Sequence, residues 1–186
     1  TKLVITDHDN RYKFDGLNQC PPVLAVGGAT SEHADDHDWQ AALTHTSMSD
    51  KPPRLSPEQP FLQMFTSGTV GKPKGVAVPL SGMTAFAIYM ELAIDLRDDD
   101  RFWNMADPGW AYGLYYAITG PLLLGVTTHF CEAGFSAEGA LAFMKRHHIT
   151  NFAAAPTAYR LMKASGLFDD AHQTLELTIM GKLKPA

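Results

Sequence analysis

Residues 65–76 read Phe-Thr-Ser-Gly-Thr-Val-Gly-Lys-Pro-Lys-Gly-Val, and this stretch carries the strongest signal in the chain. Its glycines, hydroxyl side chains and lysines fall between two apolar runs, 61–65 and 76–78. Because glycine permits positive φ and close backbone approach, the N–H groups and hydroxyls of such a loop can face an anion. Lys72 and Lys74 add positive charge beside it. The composition predicts a loop that binds the phosphates of a nucleotide.

The stretch is not a Walker A loop, which needs Gly-x-x-x-x-Gly-Lys-Ser/Thr at the start of a helix. Thr66 stands where the first glycine of that motif would be, and Pro73 follows Lys72 in place of Ser or Thr. Proline lacks an N–H and Gly75 follows shortly, so the loop is predicted to connect two strands. The alternative is an ordinary surface hairpin, which is what most glycine-rich loops are.

Composition bounds the class of protein. The chain has 186 residues, is 45% hydrophobic and carries a net charge of −5. That size supports one or two domains, and the acidic balance argues against a nucleic-acid binder. No apolar run is long enough to span a membrane. Cys20 and Cys131 are far apart and in no metal-like spacing, which predicts free thiols in a cytoplasmic protein, with a single disulfide left open.

Charged and histidine-containing segments are predicted to be solvated surface. Acidic residues cluster between Glu32 and Asp38, at positions 32, 35, 36 and 38, and again at 98–100, and both runs are typical of exposed loops or helix ends. His33 and His37 lie four apart, a spacing that could hold a metal on a helix. Nothing nearby completes a ligand set, so no metal site is predicted.

Strand-like and helix-like segments alternate along much of the chain. Short strands are expected at 3–6 and 22–26, joined by a connector long enough for parallel pairing. Residues 35–45 have helical spacing, and a Pro-rich connecting loop lies near 47–60. Further strands are expected at 101–105, 126–130, 150–155 and 175–180, and helices at 81–96, 114–124, 136–148 and 157–165, the first and third of them capped by Ser81 and Ser136. The pattern predicts a layered α/β fold with a largely parallel sheet flanked by helices.

The order Thr-Ser-Gly-Thr-x-Gly-x-Pro-Lys-Gly, residues 66–75, resembles the phosphate-binding signature of the adenylate-forming enzymes. That superfamily includes acyl-CoA synthetases, luciferases and peptide-synthetase adenylation domains. Segments 102–110 and 120–125 are similar to the part of acyl-CoA synthetases that follows the loop. Residues 154–160, Ala-Ala-Pro-Thr-Ala-Tyr-Arg, resemble a strand–helix junction of the short- and medium-chain branch.

The resemblance implies an AMP-forming ligase that uses ATP, Mg²⁺ and CoA to activate a small carboxylic acid. Residues 1–186 would then be a partial N-terminal domain, the one that binds ATP and the acyl group. Lys74 would steer phosphate or hold the loop, with Lys72 facing solvent. The other implied phosphate-binding residues are Thr66, Ser67, Gly68, Thr69, Val70 and Gly71.

The implied wall of the acyl pocket or pantetheine tunnel is Trp110, Ala111, Tyr112 and Gly113. The alternative is that Trp110 and Tyr112 are core aromatics, which is the interpretation preferred for Tyr115 and Tyr116. Acetate-specific relatives tend to carry a small hydroxyl residue where Tyr112 stands. The length of the acyl chain therefore stays open.

These 186 residues contain no catalytic residue by the same resemblance. The family's Glu-bearing segment and its C-terminal domain with the catalytic lysine do not occur in them, so the chain alone is expected to be inactive. Lys182 stands where relatives often have Glu. Two alternatives remain: an adenylation domain of a peptide synthetase or aryl-acid ligase, and a truncated nucleotide-binding module without turnover.

Overall fold

The computed structural model describes residues 2–27, 33, 35–45, 54–66 and 72–167. The chain divides into two compact units, Thr1–Arg54 and Leu55–Ala186. The strand predicted at 175–180 and the substitution at Lys182 lie outside the described residues. The described strands are β1 (Val4–Asp7), β2 (Val23–Val26), β3 (His37–Asp38), β4 (Pro60–Thr66), β5 (Lys74–Pro79), β6 (Arg101–Asn104), β7 (Thr127–His129) and β8 (Asn151–Ala153).

Helices separate many of these strands. They are α1 (Trp39–His45), α2 (Gly82–Leu92), α3 (Ala111–Gly113), α4 (Gly120–Leu124), α5 (Ala137–His147) and α6 (Pro156–Ala164). A 3₁₀ helix, His8–Phe14, follows β1, and a π-helical segment, Leu114–Thr119, joins α3 to α4.

The first unit is a small parallel sheet in the order β1-β2-β3, as the strand spacing predicts for its first two strands. Arg11, on the 3₁₀ helix, makes a bidentate contact with Asp36: Nε lies 2.5 Å from Oδ2 and Nη2 3.0 Å from Oδ1. This hydrogen-bonded pair lowers the pKa of the Asp36 carboxyl. The prediction that the 35–38 run is wholly solvated is therefore wrong for Asp36, whose side chain is only 7% exposed.

The second unit contains an antiparallel hairpin, β4–β5, and a parallel sheet in the order β7-β6-β8. Consecutive side chains of a strand point to opposite faces of a sheet. Phe102 of β6 packs with Met90 of α2, while Trp103 packs with Met144 of α5. Both faces of the central strand are thus covered, as expected of a parallel sheet, and the predicted α/β fold with helices flanking a parallel sheet is confirmed.

Asp100, just before β6, makes hydrogen bonds to residues near the start of β8. Its carboxylate accepts hydrogen bonds from Thr150 Oγ1 at 2.8 Å and from Asn151 Nδ2 at 3.2 Å. Asn151 is 1% exposed, and a buried amide of this kind requires partners. The prediction that residues 98–100 form only a solvated run is wrong for Asp100, because its carboxylate accepts hydrogen bonds from Thr150 and Asn151.

Helix boundaries follow local chemistry in some places and tertiary contacts in others. Ser136 caps α5 as predicted, since its Oγ accepts from the Gly139 N–H at 3.0 Å. Ser81 precedes α2 but makes no capping hydrogen bond through its side chain. Helix α2 also ends at Leu92 rather than near 96, because Asp95 adopts a left-handed conformation with φ of 52°.

Candidate active site

The hairpin β4–β5 frames the glycine-rich segment. Thr66 is the last residue of β4 and Lys74 the first of β5, and the antiparallel register pairs them directly. The prediction that the loop joins two strands is confirmed, which excludes the strand-to-helix geometry of a Walker A loop. The predictions for Ser67, Gly68, Thr69, Val70 and Gly71 lie outside the described residues. The register brings a hydroxyl side chain and an ammonium side chain to the two ends of this segment.

A tight turn follows the carboxyl end of β6. The Trp110 N–H donates to the Asp107 carbonyl at 3.0 Å, and the Gly109 N–H donates to Asp107 Oδ1 at 2.6 Å. The Ala106 N–H donates to Asn104 Oδ1 at 2.9 Å. Crevices outside the carboxyl ends of parallel strands are the usual ligand sites of α/β folds. The turn that carries Trp110 therefore stands at the expected edge of the sheet.

Gly113 allows the helix to approach this turn. A Cβ at position 113 would lie 2.1 Å from the Asp107 carbonyl oxygen and 2.7 Å from the Ala106 carbonyl oxygen. Real Cβ atoms do not reach such distances, so only glycine fits there. The packing fixes the start of α3 against the Asp107–Trp110 turn.

The other predicted acyl-pocket residues are open to solvent in this chain. Trp110 is 73% exposed and Tyr112 is 40% exposed, so neither is an ordinary core residue. The Tyr112 ring meets Tyr116 and Tyr89 edge-on, with centroids 5.1 Å and 6.5 Å away. Burial of its hydroxyl, and then a hydrogen bond with Tyr89, raises the pKa of Tyr112 well above its usual range. Tyr112 keeps its proton at physiological pH and can act as a hydrogen-bond donor.

Aromatic contacts connect the hairpin to the helix that follows Trp110. Phe61 of β4 meets Phe86 of α2 edge-on at 6.4 Å, and Phe86 stacks on Tyr115 at 4.6 Å. Phe86 also meets Tyr116 edge-on at 5.9 Å. Tyr115 and Tyr116 are thus packing aromatics, as predicted. Through Phe86, the base of the hairpin and the helix after Trp110 belong to one packed layer.

Sequence reasoning missed Asn104. Its side chain is 3% exposed, and its Nδ2 has no hydrogen-bond partner within the described part of the chain. Leaving a buried donor unpaired costs about 1–3 kcal/mol. The only signal in the sequence is an amide residue inside an apolar strand, between Trp103 and Met105. Asn104 also lines a cavity of about 730 Å³ between the ends of β6 and β7 and helix α5.

Neither a metal cluster nor a membrane span is found in the described ranges. Among these residues no group of three or more His, Cys, Asp or Glu side chains could hold a metal ion. His33 instead contacts Asp15, with Nε2 2.9 Å from Oδ1. Within the same ranges no helix is long and apolar enough to cross a membrane.

Known proteins match this chain along most of its length. It is 35% identical over 166 residues to an acetyl-coenzyme A synthetase of Xanthomonas oryzae pv. oryzae. That match covers 85% of this chain and 26% of the relative, so the chain spans about a quarter of the relative's length.

Solved structures agree with the sequence match. The crystal structure of a Brucella canis acyl-CoA synthetase superimposes with a TM-score of 0.81 and 44% identity, covering 94% of this chain and 32% of that one. An anthranilate CoA ligase, AuaEII, in complex with anthranoyl-AMP has the same fold, with a TM-score of 0.75 and 19% identity over 86% of this chain and 32% of its own. The match to the AMP-binding enzymes extends over residues 1–184. With this fold, these motifs and that match, the chain belongs to the family of AMP-binding enzymes.

Proposed function

We propose that this chain is the ATP- and acyl-binding part of an ATP-dependent acid–CoA ligase. The substrate would be a short- or medium-chain carboxylic acid. Its carboxylate attacks the α-phosphorus of ATP and releases pyrophosphate to give acyl-AMP. The thiol of CoA then attacks the acyl carbon, loses its proton and releases AMP. The similarity to acetyl- and acyl-CoA synthetases supports this proposal over an adenylation domain of a peptide synthetase.

The register of the β4–β5 hairpin is the observation that carries the proposal. Because Thr66 pairs with Lys74, each of the two strand ends that flank residues 67–73 carries a group that favours negative charge. Lys74 lies at the exposed start of β5, where its ammonium group is free to reach a phosphate. Such fixed donors and cations stabilise charge that develops as the phosphate leaves. We assign Thr66, Lys74 and the hydroxyl and N–H groups of 67–71 to the β- and γ-phosphates of ATP.

The turn after β6 would hold the acid. Trp110, Ala111 and Tyr112 are exposed at the carboxyl end of the central strand, and Gly113 locks them against Asp107. The indole of Trp110 and the phenol ring of Tyr112 offer apolar walls to an alkyl chain. Holding the acid and ATP in one orientation lowers the entropic part of the barrier. The chain's own contribution would therefore be binding and orientation.

Mg²⁺ bound with ATP would neutralise phosphate oxygens in this reaction. No carboxylate cluster among the described residues supplies ligands for it. Exposed, unbridged Cys20 and Cys131 fit a reducing compartment, and we propose that the protein is cytoplasmic.

Nucleotide binding by this chain tests the phosphate assignment. Isothermal titration with Mg·ATP compares the wild type with Lys74→Ala and with Lys72→Ala, a matched control on the same hairpin. Loss of one charge-assisted contact costs about 1.5–3 kcal/mol, so Lys74→Ala should weaken binding roughly 10- to 150-fold. Lys72→Ala should bind almost as well as wild type. Equal affinities for the two variants would exclude Lys74 from the phosphate site.

Turnover tests the ligase assignment. We expect no pyrophosphate release from these 186 residues with any acid from acetate to octanoate, and release from the full-length reading frame. A full-length protein that binds ATP but releases no pyrophosphate with any of these acids would favour a module without turnover. CoA-independent transfer to a carrier protein would instead favour an adenylation domain.

A further inference from the structure

A second site of the molecule is suggested by the cavity between β6, β7 and α5. Its volume of about 730 Å³ lies within the roughly 300–1,000 Å³ range of small-molecule sites. The walls come from residues after β6, from the loop 130–136 and from one face of α5. Among the described residues, neither Thr66 and Lys74 of the hairpin nor residues 110–113 line it. The cavity shares Asp107 and Pro108 with the turn after β6, but the exposed rings of Trp110 and Tyr112 are not part of its wall.

Aromatic rings dominate the cavity. Trp103 and Phe143 form part of the wall, with ring centroids 4.5 Å apart. Phe130 and Phe135 also line it and remain 51% and 41% exposed. Aromatic pairs stack or meet edge-on at centroid distances of about 4.5–7 Å. A planar ligand would contact these rings and cover apolar surface that water now touches.

The polar groups of the cavity restrict the charge of the ligand. Asp107, Glu132 and Arg146 line it, which gives two carboxylates and one guanidinium. This balance disfavours anions, and phosphates most of all, because like charges at close range repel. Asn104 also lines the cavity, and its buried Nδ2 lacks a partner among the described residues. A donor without a partner selects a ligand that carries an acceptor, which a simple ammonium ion does not.

We propose that this cavity binds an uncharged aromatic molecule that carries a hydrogen-bond acceptor, such as a carbonyl oxygen. The rings of Trp103, Phe130, Phe135 and Phe143 hold the aromatic part. Asn104 Nδ2 donates to the acceptor of the ligand, while Asn104 Oδ1 still accepts the hydrogen bond from the Ala106 N–H. The proposal does not depend on the ligase activity.

Three benzene derivatives of similar size test the charge selection: benzamide, benzoate and benzylamine. Each is titrated at millimolar concentration into the ¹⁵N-labelled chain, and amide and indole signals report where it binds. We expect benzamide to shift the Trp103 indole and the signals of 130–136, with at least fivefold weaker binding of benzoate and of benzylamine. Tighter binding of benzoate, or shifts confined to residues 110–113, would overturn the proposal.

Variants locate the site and its donor. Ala142 is an exposed residue of α5 that lines the cavity, so Ala142→Phe should fill the space and weaken benzamide binding at least fivefold. Glu138→Phe, on the same helix but outside the cavity, is the matched control and should leave binding unchanged. Asn104→Asp keeps the acceptor for Ala106 and removes the donor, so it should weaken benzamide binding about tenfold. If Asn104→Asp does not fold, the Ala142 and Glu138 pair still decides the location.

The full-length reading frame provides the last arm of the test. Benzamide should bind there with an affinity within about threefold of that of this chain. Unchanged binding in Ala142→Phe would place the ligand elsewhere and refute the site. Binding to this chain that disappears in the full-length protein would show that protein fills the cavity, and would overturn the proposal as well.

Discussion

Replacing Gly113 by alanine should open the turn that carries Trp110. The added Cβ would stand 2.1 Å from the Asp107 oxygen and 2.5 Å from the Asp107 carbonyl carbon. Both are backbone atoms, so no side-chain rotation relieves the contact. The Asp107 carbonyl also accepts the Trp110 N–H at 3.0 Å, and moving it lengthens that hydrogen bond.

The magnitude follows from three contributions. Overpacking of this kind costs about 1–3 kcal/mol. Loss of the hydrogen bond to Asp107 adds about 1 kcal/mol. Alanine regains about 1 kcal/mol through its higher helix propensity. The net loss of about 1–3 kcal/mol corresponds to a fall in Tm of roughly 3–10 °C for a chain of this size.

Thermal and urea unfolding of wild type, Gly113→Ala and Gly82→Ala measure this loss. Gly82 is the matched control, because its Cβ would meet only the Val78 Cγ1 atom, at 3.2 Å, and that side chain can move. We expect Gly82→Ala to be as stable as wild type or slightly more stable. Equal midpoints for the two alanine variants would refute the close approach of Gly113 to Asp107.

Three further predictions concern capping, pH and substrate. Ser136→Ala should cost about 1 kcal/mol in the free energy of unfolding, whereas Ser81→Ala, which removes no capping bond, should change it little; equal losses would contradict the assignment. Burial, and secondarily the charge of Arg101, lowers the pKa of His129 below its usual value of about 6.5. As the pH falls, the unfolded chain therefore binds the proton before the folded chain does. The free energy of unfolding should keep its full value above about pH 6.5 and decrease as the pH drops below it. His129→Gln should make the urea midpoint depend less on pH between pH 8 and 5. If the midpoint falls with pH as steeply as in the wild type, His129 is not the group responsible. If the full-length protein is the proposed ligase, Tyr112→Ala should shift its kcat/KM toward longer or bulkier acids and leave ATP affinity unchanged, since one methylene is worth roughly 1–3 kcal/mol in a pocket. An unchanged ranking of acids with lower stability would make Tyr112 a packing residue only.

Features set by neighbouring residues were predictable. Ser136 caps α5 because its hydroxyl reaches an N–H three residues ahead. Pro156 begins α6 because proline suits the first position of a helix. The glycines and Pro73 near the end of the hairpin favour a strand-to-strand connection over a helix. In each case the residues that decide the structure lie within a few positions of it, so their order alone carries the information.

Features that depend on distant residues or on packing within the unit were not predictable. Asp100 looked like part of a solvated run, yet its partners are Thr150 and Asn151. The wider turns of Leu114–Thr119 were also missed; there Thr119 Oγ1 donates to the Leu114 carbonyl at 2.9 Å. Helix α2 was expected to run to about 96, but it ends at Leu92, and Asp95 beyond it has a left-handed conformation. Local propensity is a weak preference, and packing against the rest of the unit overrides it.

The sequence by itself determined the family signature and the alternation of strands and helices, and it predicts which groups meet phosphate and an acid. Only the tertiary structure decided that Thr66 pairs with Lys74, that Gly113 approaches Asp107, and that Asn104 has a buried donor beside a cavity with no partner among the described residues. The physical reason is the range of the interactions. Caps and turns are formed within a few residues, whereas a cavity and an unpaired buried group exist only once strands and helices from separate parts of the chain have excluded water together.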